Sequence, residues 1–262
     1  MSQDPIPDRT LHSRFEMKYL VKPRLMPAMR KFLRPFVRPD EFAARMEGFT
    51  YPICSLYLDS EDLRLMRATL SGIKNRYKLR IRSYSDDPGT AVYCEIKRRM
   101  NGIILKRRVR VDRSHVQTIL AGRIPQTSEL YPGMADPLME FVEMGRVIRA
   151  RPRVRVRYDR EAYVSSSGDP VRVTFDTSLR GAVTTTGDLG TEAGRWANVN
   201  PGGTILEIKF TDNYPGWIGD FVRTFQLERR SVAKYVLCML RADRHVVRSV
   251  PGFGAGWYLE VS

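Results

Sequence analysis

Cysteine and histidine are scarce in this sequence, three of each among 262 residues. Cys54, Cys94 and Cys238 form no CxxC pair and each lies in an apolar run, which argues against a disulfide framework and predicts buried, reduced thiols. Such thiols suit a cytoplasmic location. His12, His115 and His245 stand too far apart for HxxH or HExxH spacing, so a histidine-bound zinc centre is not expected. No window approaches about 18 uninterrupted apolar residues, and no transmembrane helix is expected. The opening MSQDPIPD lacks both a basic region and an apolar core, which argues against a signal peptide. There is no GxxxxGK[ST], and the glycine-rich end PGFGAGWYLEVS has too few residues after Gly256 to start the helix that a GxGxxG fingerprint needs. Any nucleotide is therefore held by side chains and not by a P-loop.

Positive charge, by contrast, is abundant. The formal charge is +15, with 44 Lys and Arg against 29 Asp and Glu. That excess points to an anionic partner: nucleic acid, an acidic membrane surface, or phosphate-rich small molecules. The length suffices to bury one sizeable core, and neither a linker nor an internal repeat divides the chain.

The stretch YCEIKRRMNGIILKRRVRV, residues 93–111, reads as two strands joined at Asn101-Gly102, because both residues tolerate the positive φ of a type I′ turn. Alternation places Tyr93, Glu95, Lys97 and Arg99 on one face, opposite Lys106, Arg108 and Arg110, with Cys94, Ile96, Leu105, Val109 and Val111 on the other. Alternating runs recur eight times, at about 14–21, 51–59, 75–84, 91–99, 103–112, 153–164, 171–177 and 203–211. Turn-forming clusters at 85–89, 165–170 and 198–203 predict antiparallel neighbours. Helical periodicity appears at about 23–34, 61–70, 113–121, 136–148 and, as two helices, within 215–243.

One face of these runs repeats cations with a few acids among them: Arg14, Glu16 and Lys18; Lys78, Arg80 and Arg82; Glu95 and Lys97; Lys106 and Arg108; Arg172 and Asp176; Glu207 and Lys209. The helices need the apolar face, so the charged one either lies open as a cationic surface or lines a tunnel. Eight strands are enough for a closed barrel, which removes edge strands. A divalent metal accounts for the interspersed acids, since Mg²⁺ or Mn²⁺ takes one or two carboxylates and completes its shell with water and phosphate. The other reading of Glu207 is an internal salt bridge to Lys209 or an arginine.

The segments RFEMKYLV (14–21), SLYLDSED (55–62), YKLRIRSY (77–84), EIKRR (95–99), ILKRRVRV (104–111), YDREAY (158–163), VRVTFD (171–176), LEIKF (206–210) and AKY (233–235) follow one another in this order. So ordered, they resemble the vacuolar transporter chaperone (VTC) domain, a polyphosphate polymerase branch of the CYTH-like triphosphate tunnel metalloenzymes, over about 12–243, with 244–262 as a C-terminal tail. The resemblance implies one domain over 1–262, mainly β with helices (α+β), built as a closed eight-stranded antiparallel β-barrel tunnel with helices packed outside. It also implies a metal-dependent enzyme that moves the γ-phosphoryl group of ATP onto inorganic polyphosphate. Carried over by motif, the catalytic cations would be Lys18, Arg80, Arg82, Lys97, Lys106, Arg160, Arg172 and Lys234; Lys78, Arg108 and Lys209, on the same charged faces, join them in substrate binding. Glu207 and Glu16 would hold Mn²⁺ or Mg²⁺.

Three positions depart from the pattern. Arg14 stands where the wider family often has the first acid of E-x-E-x-K, and Ala233 replaces a serine hydroxyl before Lys234. Strict alternation puts Arg153, Arg155 and Arg157 on one face and Arg160 on the other, which demands a β-bulge or another register. The expected partners are ATP and polyphosphate, with oligomeric state and a membrane-protein partner for product export left open. A triphosphatase of the same fold and a non-catalytic polyphosphate- or nucleotide-binding module are the alternatives. Nucleic-acid binding ranks last: Tyr57, Tyr84 and Tyr93 interrupt the charged face, but no RNA-binding signature accompanies them.

Overall fold

The computed structural model describes residues 15–101, 103–167, 170–190, 195–211 and 214–243; Arg14, His12, His245, Gly102 and the tail 244–262 lie outside the described residues. The eight alternating runs form β1 (Phe15–Val21), β3 (Thr50–Asp59), β4 (Arg76–Ser83), β5 (Val92–Met100), β6 (Ile103–Val111), β7 (Arg151–Ser165), β8 (Arg172–Val183) and β10 (Thr204–Phe210). Two short strands that no alternation announced, β2 (Val37–Pro39) and β9 (Ala197–Asn198), attach to β7 and β8. The helices are α1 (Met26–Leu33), α2 (Arg64–Leu70), α3 (Val116–Leu120), α4 (Ala135–Val147), α5 (Gly216–Thr224) and α6 (Lys234–Ala242).

Every ladder is antiparallel, and the main path runs β1-β10-β8-β7-β3-β4-β5-β6. In the β5–β6 hairpin Met100 pairs with Ile103 and Asn101 has φ 48°, the left-handed value the two-residue turn requires. Glu95 therefore opposes Arg108 and Lys97 opposes Lys106, in the expected register.

Two expectations are corrected. The barrel is not closed: among the described residues β1 and β6, the ends of the path, share no ladder. The sheet curls far enough that Lys97 of β5 lies 2.8 Å from Glu16 of β1, so a side-chain ion pair spans the seam where a ladder was expected. Edge strands resist pairing when they carry charge, and β6 carries Lys106, Arg107, Arg108 and Arg110.

The second correction concerns the helices. Five of them do not enter the hollow: α1 and α5 bury Met29, Leu33, Ile218 and Phe221 against the outer face of β1, β8 and β10, and α3 and α4 cover β4–β6 with Val116, Ile119, Leu138 and Phe141. The short α2 sits at the rim, with Leu65 in that second cluster and Met66 in the inner one. Helix α6 packs inside, its Val236, Cys238 and Met239 meeting Tyr57, Val154, Val156 and Ile205 of the inner face. A Cβ on Gly181 of β8 would come 2.7 Å from the Cys238 Cβ, so glycine is what admits the helix this closely. The three cysteines are free and buried.

Candidate functional site

The part of the hollow that α6 leaves unfilled holds a cavity of about 80 Å³. That is room for several waters, the space a phosphate group displaces. Its position follows from strand register. Tyr57, Arg80, Glu95 and Arg108 form one cross-strand row, and Lys78, Lys97 and Lys106 form the next. From the other wall come Lys18 opposite Glu207, and Glu16 opposite Lys209.

Lys18, Lys78, Arg80, Arg82, Lys97, Arg160, Lys209 and Lys234 line the cavity, together with Glu207, Tyr57, Tyr158, Val232 and Ala233. Four other residues singled out in the sequence stand off its wall. Lys106 and Arg108 face inward but reach Glu95, at 3.4 and 3.5 Å. Glu16 sits between Lys18 (3.0 Å) and Lys97 (2.8 Å). Arg172 is further along β8, its guanidinium 2.6 Å from Asp40 and donating to the Tyr51 hydroxyl at 3.3 Å.

The carboxylates hold the cations in place. Glu95 is fully buried, and although burial alone raises a carboxyl pKa, Arg80 at 2.6 Å with Arg82, Lys106 and Arg108 keeps it well below the usual range. Burial opposes ionisation of Asp176 as well, yet a bidentate bond from Arg160 (2.7 and 2.8 Å) and Lys234 at 2.6 Å bring it to about 2. Glu207 and Glu16 are likewise held below the usual range against burial, by Lys209, Lys18 and Lys97.

Two lysines are left under-compensated. Burial, with Lys18 and Lys209 nearby, lowers Lys97 to about 8 despite Glu16 and Glu207. Lys78 is pushed well below its ordinary value by burial and by Lys18 and Lys97, and among the described residues no carboxylate lies within salt-bridge distance of it. Like charges directly opposed across strands are destabilising, so the row of three lysines is arranged for an anion.

Around this cage the phenols brace the arginines. Arg80 donates to the Tyr57 hydroxyl at 3.0 Å and Arg82 to Ser55 and Tyr158 at 3.1 and 3.2 Å. Tyr57 stacks on Tyr235 at 4.9 Å, and the Tyr235 hydroxyl donates to buried Asp59 at 2.7 Å. Asp59 also accepts the N–H groups of Ser60, Leu65 and Met66, tying β3, α2 and α6 together. Ala233, the N-cap of α6, supplies no side-chain acceptor to the first-turn N–H groups. A helix N-terminus at the cavity wall favours an anion.

From Val154 to Arg160 the arginine-rich strand β7 alternates without a break, and its irregularity against β3 falls at Arg153, skipped between Pro152 opposite Leu58 and Val154 opposite Tyr57. Against β3, Tyr57 opposes Val154, Ser55 opposes Val156 and Tyr51 opposes Arg160, so Arg160 points inward, while Arg155 and Arg157, opposite Leu56 and Cys54, point outward. A second irregularity lies toward β8, where Ser178 takes φ 52°. The outward arginines are not a solvated stripe: Arg155 is buried against Asp188 and the Trp196 ring. Tyr158, Asp40 and the double bridge at Asp176 were missed from the sequence. Tyr158 was within reach, being two residues from Arg160 and hence on its face.

Glu16 and Glu207 lie close enough that each raises the other's proton affinity. Among the described residues no three His, Cys, Asp or Glu converge to hold a metal by themselves. Two carboxylates fit a Mg²⁺ or Mn²⁺ whose shell is completed by phosphate and water.

A family model described as VTC domain matches residues 13–242. No curated protein matches the chain. Among solved structures, a candidate adenylate cyclase from Bacillus halodurans is 12% identical with a TM-score of 0.48, covering 84% of this chain and 95% of its own. The PH1819 protein from Pyrococcus horikoshii OT3 is 12% identical with a TM-score of 0.42, over 86% and 95%. HpAC1 from Hippeastrum, a candidate adenylyl cyclase described as having a dominant triphosphatase activity, is 17% identical with a TM-score of 0.46, over 84% and 92%.

Proposed function

The chain belongs to the VTC domain family, and on that premise we propose that it binds a triphosphate inside the curled sheet and transfers the γ-phosphoryl group of ATP to inorganic polyphosphate. The observation that carries this reading is the convergence of eight basic side chains on one small cavity, with no carboxylate among the described residues at salt-bridge distance from Lys78.

Phosphoryl transfer needs little covalent work from the protein; alignment and neutralisation of charge on the transferring oxygens supply most of the catalysis. A terminal oxygen of the chain attacks the γ-phosphorus while the bond to the β-phosphate oxygen breaks, and ADP leaves with that electron pair. Arg80, Arg82 and Arg160 present planar forks to phosphate oxygens, and Lys18, Lys78, Lys97, Lys209 and Lys234 act as point charges. Lys106, Arg108 and Arg172 extend the charge beyond the cavity wall. Glu207, with Glu16 beside it, would hold Mg²⁺ or Mn²⁺. The ion, when bound, neutralises charge on the phosphate oxygens.

The seam between β1 and β6 favours a second reading. Among the described residues no ladder closes it, so water can take the place of the chain end and the product is then free phosphate. We place the reaction in the cytoplasm, consistent with three free thiols; among the described residues no helix is long and apolar enough to cross a membrane.

The test is incubation of the protein with ATP and Mn²⁺ or Mg²⁺. Polyphosphate in the product supports the polymerase, phosphate alone the triphosphatase, and tight binding without turnover a non-catalytic module. Glu207→Gln should leave the fold intact by circular dichroism and lower metal-dependent turnover roughly 100-fold. Full turnover in that variant removes Glu207 from the metal site.

A further inference from the structure

Several rings on the inner face play no part in the phosphate cage. Tyr51 of β3, Tyr84 just beyond β4 and Tyr93 of β5 gather at the end of the hollow away from α6, with centroids 6.3 and 5.7 Å apart in succession. Phe42 reaches over them from the loop after β2, 5.2 Å from Tyr51 and 5.7 Å from Tyr84. Its loop is fixed by Asp40, which accepts the Ala43 N–H at 2.7 Å. The guanidinium of Arg108 lies 3.5 Å from the Tyr93 centroid and donates to the Tyr84 hydroxyl at 3.1 Å.

Packing alone accounts for Tyr51, which is buried. It does not account for Phe42, a residue 45% exposed, or for a guanidinium set among the rings. Aromatic faces interleaved with arginine form a stacking platform for a nucleobase. The distance also fits. Arg80, Arg82 and Tyr84 share the inner face, and at about 3.4 Å per residue Tyr84 stands roughly 14 Å from Arg80 and 7 Å from Arg82 along the strand. That is the reach of an extended nucleoside triphosphate from its terminal phosphate to its base.

Building on the phosphate-cage reading above, we propose that the base of the donor nucleotide stacks on Phe42 and Tyr84, so that the nucleotide enters base-outward with its phosphates directed toward Arg80 and Lys18. Inorganic polyphosphate has no ring, and the platform therefore distinguishes the nucleotide donor from the chain that shares its cage.

Equilibrium binding of ATP and of inorganic tripolyphosphate to the full chain, by calorimetry at fixed salt, separates the two readings. Phe42→Ala should weaken ATP about tenfold, the loss of one stacked base, and leave tripolyphosphate within twofold. Phe42→Trp should restore ATP binding. If Phe42→Ala leaves ATP unaffected, or weakens both ligands equally with the fold intact, the base platform is overturned while the phosphate cage stands. If the unaltered protein binds neither ligand, the cage fails and the platform with it.

Discussion

Lys78 and Lys97 face each other across β4 and β5, and Lys106 continues the row. In water such a row costs little; in the buried hollow Lys97 is lowered to about 8, because burial, with Lys18 and Lys209 nearby, outweighs Glu16 and Glu207. The sign matters for both binding and folding. Lys97 is charged below about pH 8 and loses its charge above, so affinity for a triphosphate should fall as pH rises through 8. A bound phosphate raises the pKa again, and binding near pH 8.5 should take up more protons in the unaltered protein than in Lys97→Met. Calorimetry in two buffers of different ionisation enthalpy measures this, and equal proton counts in the two proteins sink it. For folding, the native pKa lies below the ordinary 10.5, so the cost of charging Lys97 is full below about pH 8 and is relieved between about 8 and 10.5.

At the scale of elements, the eight long strands and the hairpin register were legible because alternation and the Asn-Gly turn are local signals. So was the charged row that faces the cavity. The place of α6 was not, because it depends on what β7 and β8 lack: Val154, Val156 and Gly181 put no charge on the inner face, and an apolar helix fills that end. The arginines at 153, 155 and 157 drew attention to the strand's other face. The short strands β2 and β9, at three and two residues, are too brief to show a period. The inner helix also carries a prediction. Gly181→Ala places a Cβ 2.7 Å from that of Cys238 and must shift α6. Overpacking of this kind costs about 1–3 kcal/mol, read as a lower urea midpoint with unchanged slope. Lys234 opens α6, so triphosphate affinity should drop together with stability. A variant that loses stability but binds as before would show that α6 does not position Lys234.

For the molecule as a whole, the decisive feature is where the excess charge sits. Inside the hollow stand Lys18, Lys78, Arg80, Arg82, Lys97, Lys106, Arg108, Arg160, Lys209 and Lys234 against Glu16, Glu95, Asp176 and Glu207, ten positive and four negative charges, a surplus of six within a chain of net +15. Alternation revealed the cations but not that β1 and β6 stop short of a ladder, since closure depends on curl and shear summed over every strand. A seam held by Lys97 and Glu16 makes the folded state sensitive to what occupies the hollow. An anion that binds only the native state stabilises it by RT ln(1 + [L]/Kd), about 2.7 kcal/mol at a hundredfold excess over Kd. For a chain of this size that corresponds to a rise in Tm of roughly 5–10 °C. Sodium chloride at the same ionic strength screens surface charge without filling the cage and should raise Tm far less. Equal shifts from tripolyphosphate and chloride would mean that the surplus is dispersed over the surface, and that the inward-facing cations do not act as one site.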